Sequence, residues 1–392
     1  MSFSNADSGH RHSRVSSREK PGFLERLSET TGGMVVGLGL FALSFYVLFT
    51  NEGRALRTAA SLDEGLAQVV SLNSFSGPEL QNDHRLVHLS APLHTAQPLY
   101  DPNYKVAVHT VKLKREVEMY QWVESQESRD YEENGEKKSE TTYTYSKCLL
   151  FLIVTCDTPQ HTSAMAVEAV TVVAPEVYIG PFVLSKGLVD QINNFQTLSL
   201  KGLPWTDPFL TVDEDYFYHT PNPRSPQVGD VRVRFTYAGL SGEGSWPGRA
   251  QAASVVAMQR GDQLRAFKTK SGDTLEILYT EELSAEEVFA HEHEYNNMRT
   301  WALRAGGWAL MFLGISLTTQ ILYTLVDWVP VLRELVSLGL KIFSLSVSCS
   351  LSLLTISAGW LYYRPLMAVF LSALALVPIV VARSRAPTKK HQ

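Results

Sequence analysis

Cysteine is scarce. Cys148, Cys156 and Cys349 are the only three in 392 residues, too few for a disulfide framework. Cys349 sits inside an apolar run, where it reads as a small hydrophobe. A basic excess is also lacking: 35 Lys and Arg stand against 40 Asp and Glu. Nucleic-acid binding therefore has no electrostatic support and nucleic acid is not expected as a partner. No collagen-like, heptad or solenoid repeat is present. P-loop and dinucleotide fingerprints are missing too, and no cofactor is expected. The most informative absence is local. Charge nearly vanishes from 31–50, 305–326, 342–363 and 365–382, and crowds into 51–304.

Those four gaps are read as membrane spans. TGGMVVGLGLFALSFYVLFT, Thr31 to Thr50, is 20 residues without a charge, enough for a helix to cross a hydrocarbon core of about 30 Å. Backbone groups in lipid must be paired internally, so uncharged runs of this length are expected as helices. The last run is near the shortest workable length and carries Pro378, which leaves a re-entrant segment as the alternative. The first run is longer than a signal-peptide core and follows a polar stretch, so an uncleaved signal-anchor is expected.

Lys and Arg near the spans set the orientation. Arg11, Arg14, Arg18, Lys20 and Arg26 precede the first span, whereas Arg54 and Arg57 follow it closely. Arg383, Arg385, Lys389 and Lys390 follow the fourth, against Arg364 before it. Both termini are thus expected in the cytosol. The expected order is a cytosolic tail (1–30), helix one (31–50), a lumenal domain (51–304) and helix two (305–326). A short cytosolic loop (327–341), helix three (342–363), helix four (365–382) and a cytosolic basic tail (383–392) complete it. In fold class this is an α+β multi-pass membrane protein with four transmembrane helices and a large β-rich lumenal domain. The chain closes KKHQ, with Lys389 and Lys390 third and fourth from the end. On a cytosolic tail behind a span, that spacing reads as a retrieval signal for the endoplasmic reticulum. The plainer reading is a stop-transfer tail that meets anionic headgroups.

Within 51–304 the pattern begins helical, over Asn51 to Val70, and then shifts to period two. Val231, Val233, Phe235 and Tyr237 alternate with Arg232, Arg234 and Thr236. Val117 and Met119 alternate with Glu116 and Glu118. Leu275, Ile277 and Tyr279 share a face, and Arg85 to Leu89 is a shorter candidate strand. Asn134-Gly135 is a strong hairpin signal, because a type I′ turn needs positive φ at both positions. It joins the strand around Trp122 to the one around Tyr143 and Tyr145. Gly261-Asp262 plays a similar part. Ser284 and Glu287 form a capping box that opens a closing helix. A small barrel or sandwich, attached to the membrane at both ends, is expected.

Several motifs fail inspection. In HEHEY, His291 and His293 are two residues apart and diverge by about 200° on a helix. Zinc helices need two histidines four apart, so no metal is expected. Gly239 to Glu243 resembles a nucleophile elbow but ends in glutamate, with no helix following. Arg260-Gly261-Asp262 is a chance tripeptide in a turn. The spans carry no ionisable residue near their centres, which disfavours a pore. They do carry small residues: Gly33 and Gly37 form a GxxxG pair, and Ser344, Ser348 and Ser352 recur every fourth position of the third span. Close helix packing follows, either within one chain or between copies.

PGFLERLSETTGG, FYVLFTNEGRALRTAASLDEG, VEMYQWVESQESRDY, FTYAGLSG, QRGDQL, TKSGDTL, ILYTLVDWVPV and AGWLYYRPL resemble the transmembrane protein 43 (LUMA) family over nearly the whole chain. The resemblance implies four spans, a large lumenal domain, and residence in the endoplasmic reticulum and inner nuclear membrane. It also implies self-association, with emerin and lamins as partners in nuclear-envelope complexes. It brings no catalytic residues. One stretch departs: KCLLFLIVTCDTPQHTSAMAVE replaces an expected polar, tryptophan-containing connection. The nine residues from Cys148 to Cys156 are too few to span a bilayer as a helix. They are either a buried strand or a transcript or gene-model variant, which puts a Cys148–Cys156 disulfide in doubt. A membrane scaffold, binding itself, envelope proteins and lipids, is the expected function. The alternatives are a lumenal lipid-handling protein or enzyme, or a channel accessory subunit. An apolar cavity with converging polar groups would favour the former.

Overall fold

A computed structural model describes residues 11–18, 23–74, 77–133, 136–150, 167–201, 210–220, 222–244, 246–325 and 330–361, with the pairs 369–370, 373–374 and 376–377. Asn134-Gly135, most of the departing stretch, and Lys389 and Lys390 lie outside the described residues. Of the expected fourth span only the three pairs are described, each helical.

In chain order, β1 (Arg11–Arg18) precedes the long helix α1 (Phe23–Gln68), then β2 (Val70–Ser71) and β3 (Leu86–His94). Next come β4 (Leu99–Asp101), β5 (Val106–Val108) and two long strands, β6 (Thr110–Glu133) and β7 (Glu136–Leu150). β8 (Val170–Val173), β9 (Tyr178–Ile179) and β10 (Phe182–Leu184) lead to the short helix α2 (Lys186–Gln191). β11 (Gln196–Thr197), β12 (Thr211–Asp213), β13 (Tyr216–Tyr218), β14 (Val231–Leu240) and β15 (Ala252–Arg260) follow. β16 (Gln263–Arg265), β17 (Phe267–Lys268), β18 (Thr274–Leu275) and β19 (Ile277–Tyr279) precede α3 (Ala285–Leu325) and α4 (Pro330–Trp360). The chain divides into a β unit (Met1–Lys20, Gln68–Phe267, Leu275–Val288) and a helical unit (Pro21–Ala67, Lys268–Thr274, Phe289–Gln392).

In the β unit one sheet runs β1-β7-β6-β14-β13-β12, with β11 on β14 and β8 on β6. In the other, β15 pairs β16, β16 pairs β10, β10 pairs β9, β9 pairs β3 and β3 pairs β15. That ring of pairings closes on itself, a small barrel of the kind that removes free edges. The two sheets share one core: Val87, Leu89, Phe182, Val255 and Ala257 from the ring pack in the same cluster as Leu113, Val117, Val233 and Phe235.

The period-two pattern becomes cross-strand pairing. Val231 faces Met119, Val233 faces Val117 and Tyr237 faces Leu113, all buried. The intervening positions pair Arg232 with Glu118 and Arg234 with Glu116 on the other face, the latter at 2.6 Å. Opposite charges directly across a strand pair add to the register that the apolar face sets. Glu133 pairs with Glu136, so two residues, the Asn134-Gly135 positions outside the described residues, separate β6 from β7. Gly261, with φ of 60°, turns β15 into β16. The Arg85–Leu89 candidate is the start of β3, but Leu86 to Leu89 are all buried rather than alternating.

β6 outruns its sheet. β14 accompanies it only as far as Met119, and from Tyr120 to Glu133 its one partner is β7. Fourteen residues at strand rise make a ribbon about 46 Å long. β1 pairs the outer edge of this ribbon from Thr144 to Lys137, a strand the sequence reading did not anticipate.

In the helical unit α1 is 46 residues long, about 69 Å, and so continues well past the apolar run at both ends. Three helices among the described residues are long and apolar enough to cross a membrane: Thr31–Gln68, Ala285–Leu322 and Val336–Trp360. Residues 330–341, expected in a cytosolic loop, are instead the first turns of α4. Pro330 opens that helix at the position where its missing N–H is not needed. The predicted capping box closes at the start of α3: Glu287 N donates to Ser284 Oγ at 3.3 Å, and Ser284 N to Glu287 Oε2 at 2.8 Å.

Candidate functional site

The small residues of the spans converge on a seam inside the helical unit. A Cβ added at Gly37 would lie 2.8 Å from the Gly314 carbonyl and 2.8 Å from Thr318 Oγ1. One added at Gly314 would lie 2.7 Å from the Phe41 backbone nitrogen. Farther along, Gly307 admits the side chain of Leu48, which is fully buried beside Met311. Asn51 then donates to the Thr300 carbonyl at 3.2 Å, and Asn296 to the Ala55 carbonyl at 3.0 Å. As α1 advances from Gly37 to Ala55, its partners on α3 recede from Thr318 to Asn296: an antiparallel pair meshing at steps of three and four. From α4, Ser344, Ser348 and Ser352 are 1%, 0% and 4% exposed. Ser352 Oγ lies 3.4 Å from Met311 Sδ, so the serine stripe packs within the chain. Gly33 is different, with nothing within 4 Å of an added Cβ. Only half of the GxxxG pair is used in this seam.

At one end of the seam lies a charged clamp. Glu52, 0% exposed, accepts from Arg304 Nε and Nη2, both at 2.7 Å. The indole N–H of Trp360 donates to the same carboxylate. The Arg304 guanidinium lies 4.9 Å from the Trp301 ring centre and 5.3 Å from that of Trp360. Gly359 lets α4 come this close, since a Cβ there would sit 2.8 Å from Glu52 Cβ. A bidentate pair with a third donor is the geometry in which a desolvated ion pair holds. One carboxylate thus ties three helices together. Beside it Arg54 donates to Asn296 Oδ1 and to Asn51 Oδ1, each at 3.1 Å. Farther out on α1, Glu64 accepts from the backbone N–H groups of Lys270 at 3.0 Å and Ser271 at 3.3 Å.

The sequence analysis singled out neither Glu52 nor Arg304. Their signal was position: each lies within two residues of an uncharged run, at the ends of helices one and two that an antiparallel hairpin brings together. Glu52 and Arg304 are spent on each other, so what the clamp does in this fold is hold three helices together.

A family model described as Transmembrane protein 43 matches residues 119–365. The chain is 53% identical over 396 residues to Transmembrane protein 43 of Mus musculus, covering 99% of this chain and 98% of that one. The Homo sapiens protein of the same name gives 53% over the same coverage. This chain belongs to the transmembrane protein 43 family. A Drosophila melanogaster relative, Transmembrane protein 43 homolog, is 32% identical over 359 residues, 88% of this chain and 92% of its own length. No solved structure matches. The stretch matched by the family model takes in the ribbon, the β unit from Met119 onward and both helices that contribute Arg304 and Trp360 to the clamp.

The β unit of this transmembrane protein 43 family member holds a second polar cluster. Arg115 occupies an inward position of β6, where it pairs with Asp101 at 2.7 Å and donates to the Glu168 carbonyl at 2.9 Å. Tyr104, 1% exposed, meets His219 Nε2 at 2.7 Å through its hydroxyl. Burial pushes that phenol up to about 12. Arg115 breaks the apolar alternation of its strand, and the sequence analysis did not single it out. At the entrance to α3, the Leu283 carbonyl accepts from His88 Nε2 at 3.0 Å and from Ser90 Oγ at 3.0 Å.

His293 sits 3.2 Å from Asp63, and among the described residues no three His, Cys, Asp or Glu side chains gather as a metal site. Ser241 is buried in a loop after β14, bonded to the Thr95 hydroxyl at 2.6 Å. Arg260-Gly261-Asp262 is a hairpin turn. Cys349 is a free thiol on an exposed face of α4.

Proposed function

We propose that this transmembrane protein 43 family member is a membrane scaffold that self-associates and organises nuclear-envelope complexes. Emerin and lamins are its partners in this reading, with the endoplasmic reticulum and inner nuclear membrane as its location. The observation that carries the scaffold reading is the ribbon. Past Met119 its described side chains from Ser125 to Arg129 are exposed, so a long arm projects that no core of its own requires. Long paired strands with polar faces serve recognition, because they offer backbone edges and alternating side chains.

Self-association is supported by a second stripe on α1. Gly32 and Gly39 have nothing within 4 Å of an added Cβ, and Val36, Leu43 and Tyr46 are 58%, 45% and 67% exposed. Their spacing of four and three repeats that of the inner seam on the opposite side, and small residues at such a stripe permit close approach of a second helix. Partners and compartment rest on the family resemblance, with Lys389 and Lys390 as the retrieval signal. The charge pattern supports a fourth span over 365–382, and in this reading both termini then face the cytosol or nucleoplasm and the β unit the lumen.

The test is crosslinking of full-length protein in mild detergent and in cells. A dimer or higher ladder is expected, reduced by Gly39→Ile, together with recovery of envelope proteins that drops when the ribbon tip is removed. A strictly monomeric protein that recovers no envelope partner would end the scaffold reading.

A further inference from the structure

Where α3 and α4 approach their connection, the helical unit opens into a cavity of about 250 Å³ lined by Ser316, Thr319, Gln320, Ser337, Leu340, Lys341 and Ser344. The positions step by three and four on both helices, so each contributes one face. All but Leu340 carry a polar group, no carboxylate is among them and the one charge is the Lys341 ammonium, which disfavours a cation as occupant. Lys341 is exposed and has no carboxylate partner among the described residues.

Ser344 stands out by its place in the cavity. Several hydroxyls in these helices are spent on backbone, Thr318 donating to the Gly314 carbonyl at 2.7 Å, Thr319 to Ile315 at 2.9 Å and Ser348 to Leu345 at 2.9 Å, whereas the buried Ser344 and Ser357 hydroxyls are not, and of those two only Ser344 lines the cavity. Ser344, 1% exposed, lines the cavity with a buried Oγ that has no partner. A buried hydroxyl left unpaired is disfavoured unless an acceptor reaches it. The site thus presents an unspent hydroxyl, further hydroxyls and an amide, and one ammonium on a flexible stem. That set fits an anion with several acceptor oxygens.

We infer that the cavity binds the phosphate of an anionic phospholipid headgroup, held by Lys341 and by the hydroxyl of Ser344. Soluble phosphate offers the same chemistry, but the depth favours lipid. Lys341 lies only a few residues inside the Val336–Trp360 apolar segment, where a lysine stem lies along apolar surface and its head reaches the interface. Basic pockets between helices at that level recognise headgroups, and the anionic leaflet is the cytosolic one. The orientation proposed above puts the α3–α4 connection on that side.

Full-length protein purified in mild detergent would be examined by native mass spectrometry after exposure to phosphatidylserine, phosphatidylglycerol or phosphatidylcholine. Retained anionic lipid is expected, with phosphatidylcholine retained far less. Lys341→Gln is expected to lower anionic occupancy about fivefold, the effect of one lysine near the surface, and Lys341→Arg to restore it. Ser344→Ala lowers it without changing the melting temperature in phosphatidylcholine alone. Equal retention of anionic and zwitterionic lipid overturns the inference, as does unchanged occupancy in Lys341→Gln. Inorganic phosphate that displaces the lipid and stabilises the protein alone would reassign the site to a soluble anion and overturn the headgroup assignment. A strictly monomeric protein that still holds anionic lipid would refute the scaffold reading and leave this one standing.

Discussion

Gly33 and Gly37 are one helical turn apart and chemically identical, yet only Gly37 has backbone of another helix against it. Gly37→Leu is expected to destabilise the helical unit by about 1–3 kcal/mol, because the atoms it meets belong to the backbone of α3 and cannot rotate away. Gly33→Leu should leave the melting temperature in detergent almost unchanged. The GxxxG spacing was legible in the sequence, but spacing says nothing about which partner reaches which glycine. The counterpart, Gly314, carries no motif that marks it. The clamp gives a sharper test. Glu52→Ala leaves Arg304 desolvated without its counter-charge, an expected loss of about 3–5 kcal/mol. Glu52→Leu combined with Arg304→Met should recover much of that, since the pair replaced whole removes the uncompensated charge. Thermal unfolding of the single and double variants decides it, and additive losses would mean that the pair does not act as a unit.

Among the elements, β6 and β14 were the most legible, because two facing strands with a buried and a charged face leave one register open to them. Arg115 was illegible as a core residue, since its partner Asp101 comes from a strand with no pattern of its own. The first residues of β3 hid their alternation for another reason. Leu86 to Leu89 lie within the closed ring of strands, where both faces are covered. One of them, His88, makes the β unit sensitive to pH. Burial is the larger influence on its ring and holds its pKa below the usual value, against the bond to the Leu283 carbonyl and the nearby Glu286, which raise it. The folded unit then resists a proton that the unfolded chain takes up near pH 6.5. Stability from this group is complete above that pH and falls as pH drops toward the lowered folded value. His88→Gln should flatten the slope of melting temperature against pH in that window. The ribbon makes the opposite kind of prediction. Joining Glu124 to Tyr145 by a short turn removes strand length that packs on no core, so the β unit should keep its melting temperature while partner recovery falls.

At the scale of the whole molecule, two features compete. β1 pairs with β7, whereas a single crossing by α1 puts Arg11–Arg18 and the β unit on opposite faces of the membrane. A strand pair cannot bridge a bilayer, so one of the two must yield. The pairing is weak: Arg18 stands opposite Lys137, Ser17 opposite Lys138, and Arg14 and Val15 are exposed. Like charges across strands repel, favourable cross-strand pairs contribute about 0.2–1 kcal/mol each, and ordering eight tail residues opposes them at about 1–2 kcal/mol per residue. Against this, ten Leu, Phe and Val residues between Thr31 and Thr50 contribute about 3–6 kcal/mol on insertion. On this balance insertion is expected to prevail, with β1 separated from the ribbon once α1 crosses. Three of the four expected spans were legible from the charge gaps alone. The strand was not, because RHSRVSSR has no apolar face to mark it. Cysteine accessibility tests the outcome in a background lacking Cys148, Cys156 and Cys349. With only the plasma membrane permeabilised, Ser13→Cys should react with an impermeant maleimide, and Ser125→Cys only once the inner membranes are opened. If both react together, or both are protected together, the tail and the ribbon share a compartment and α1 does not cross between them.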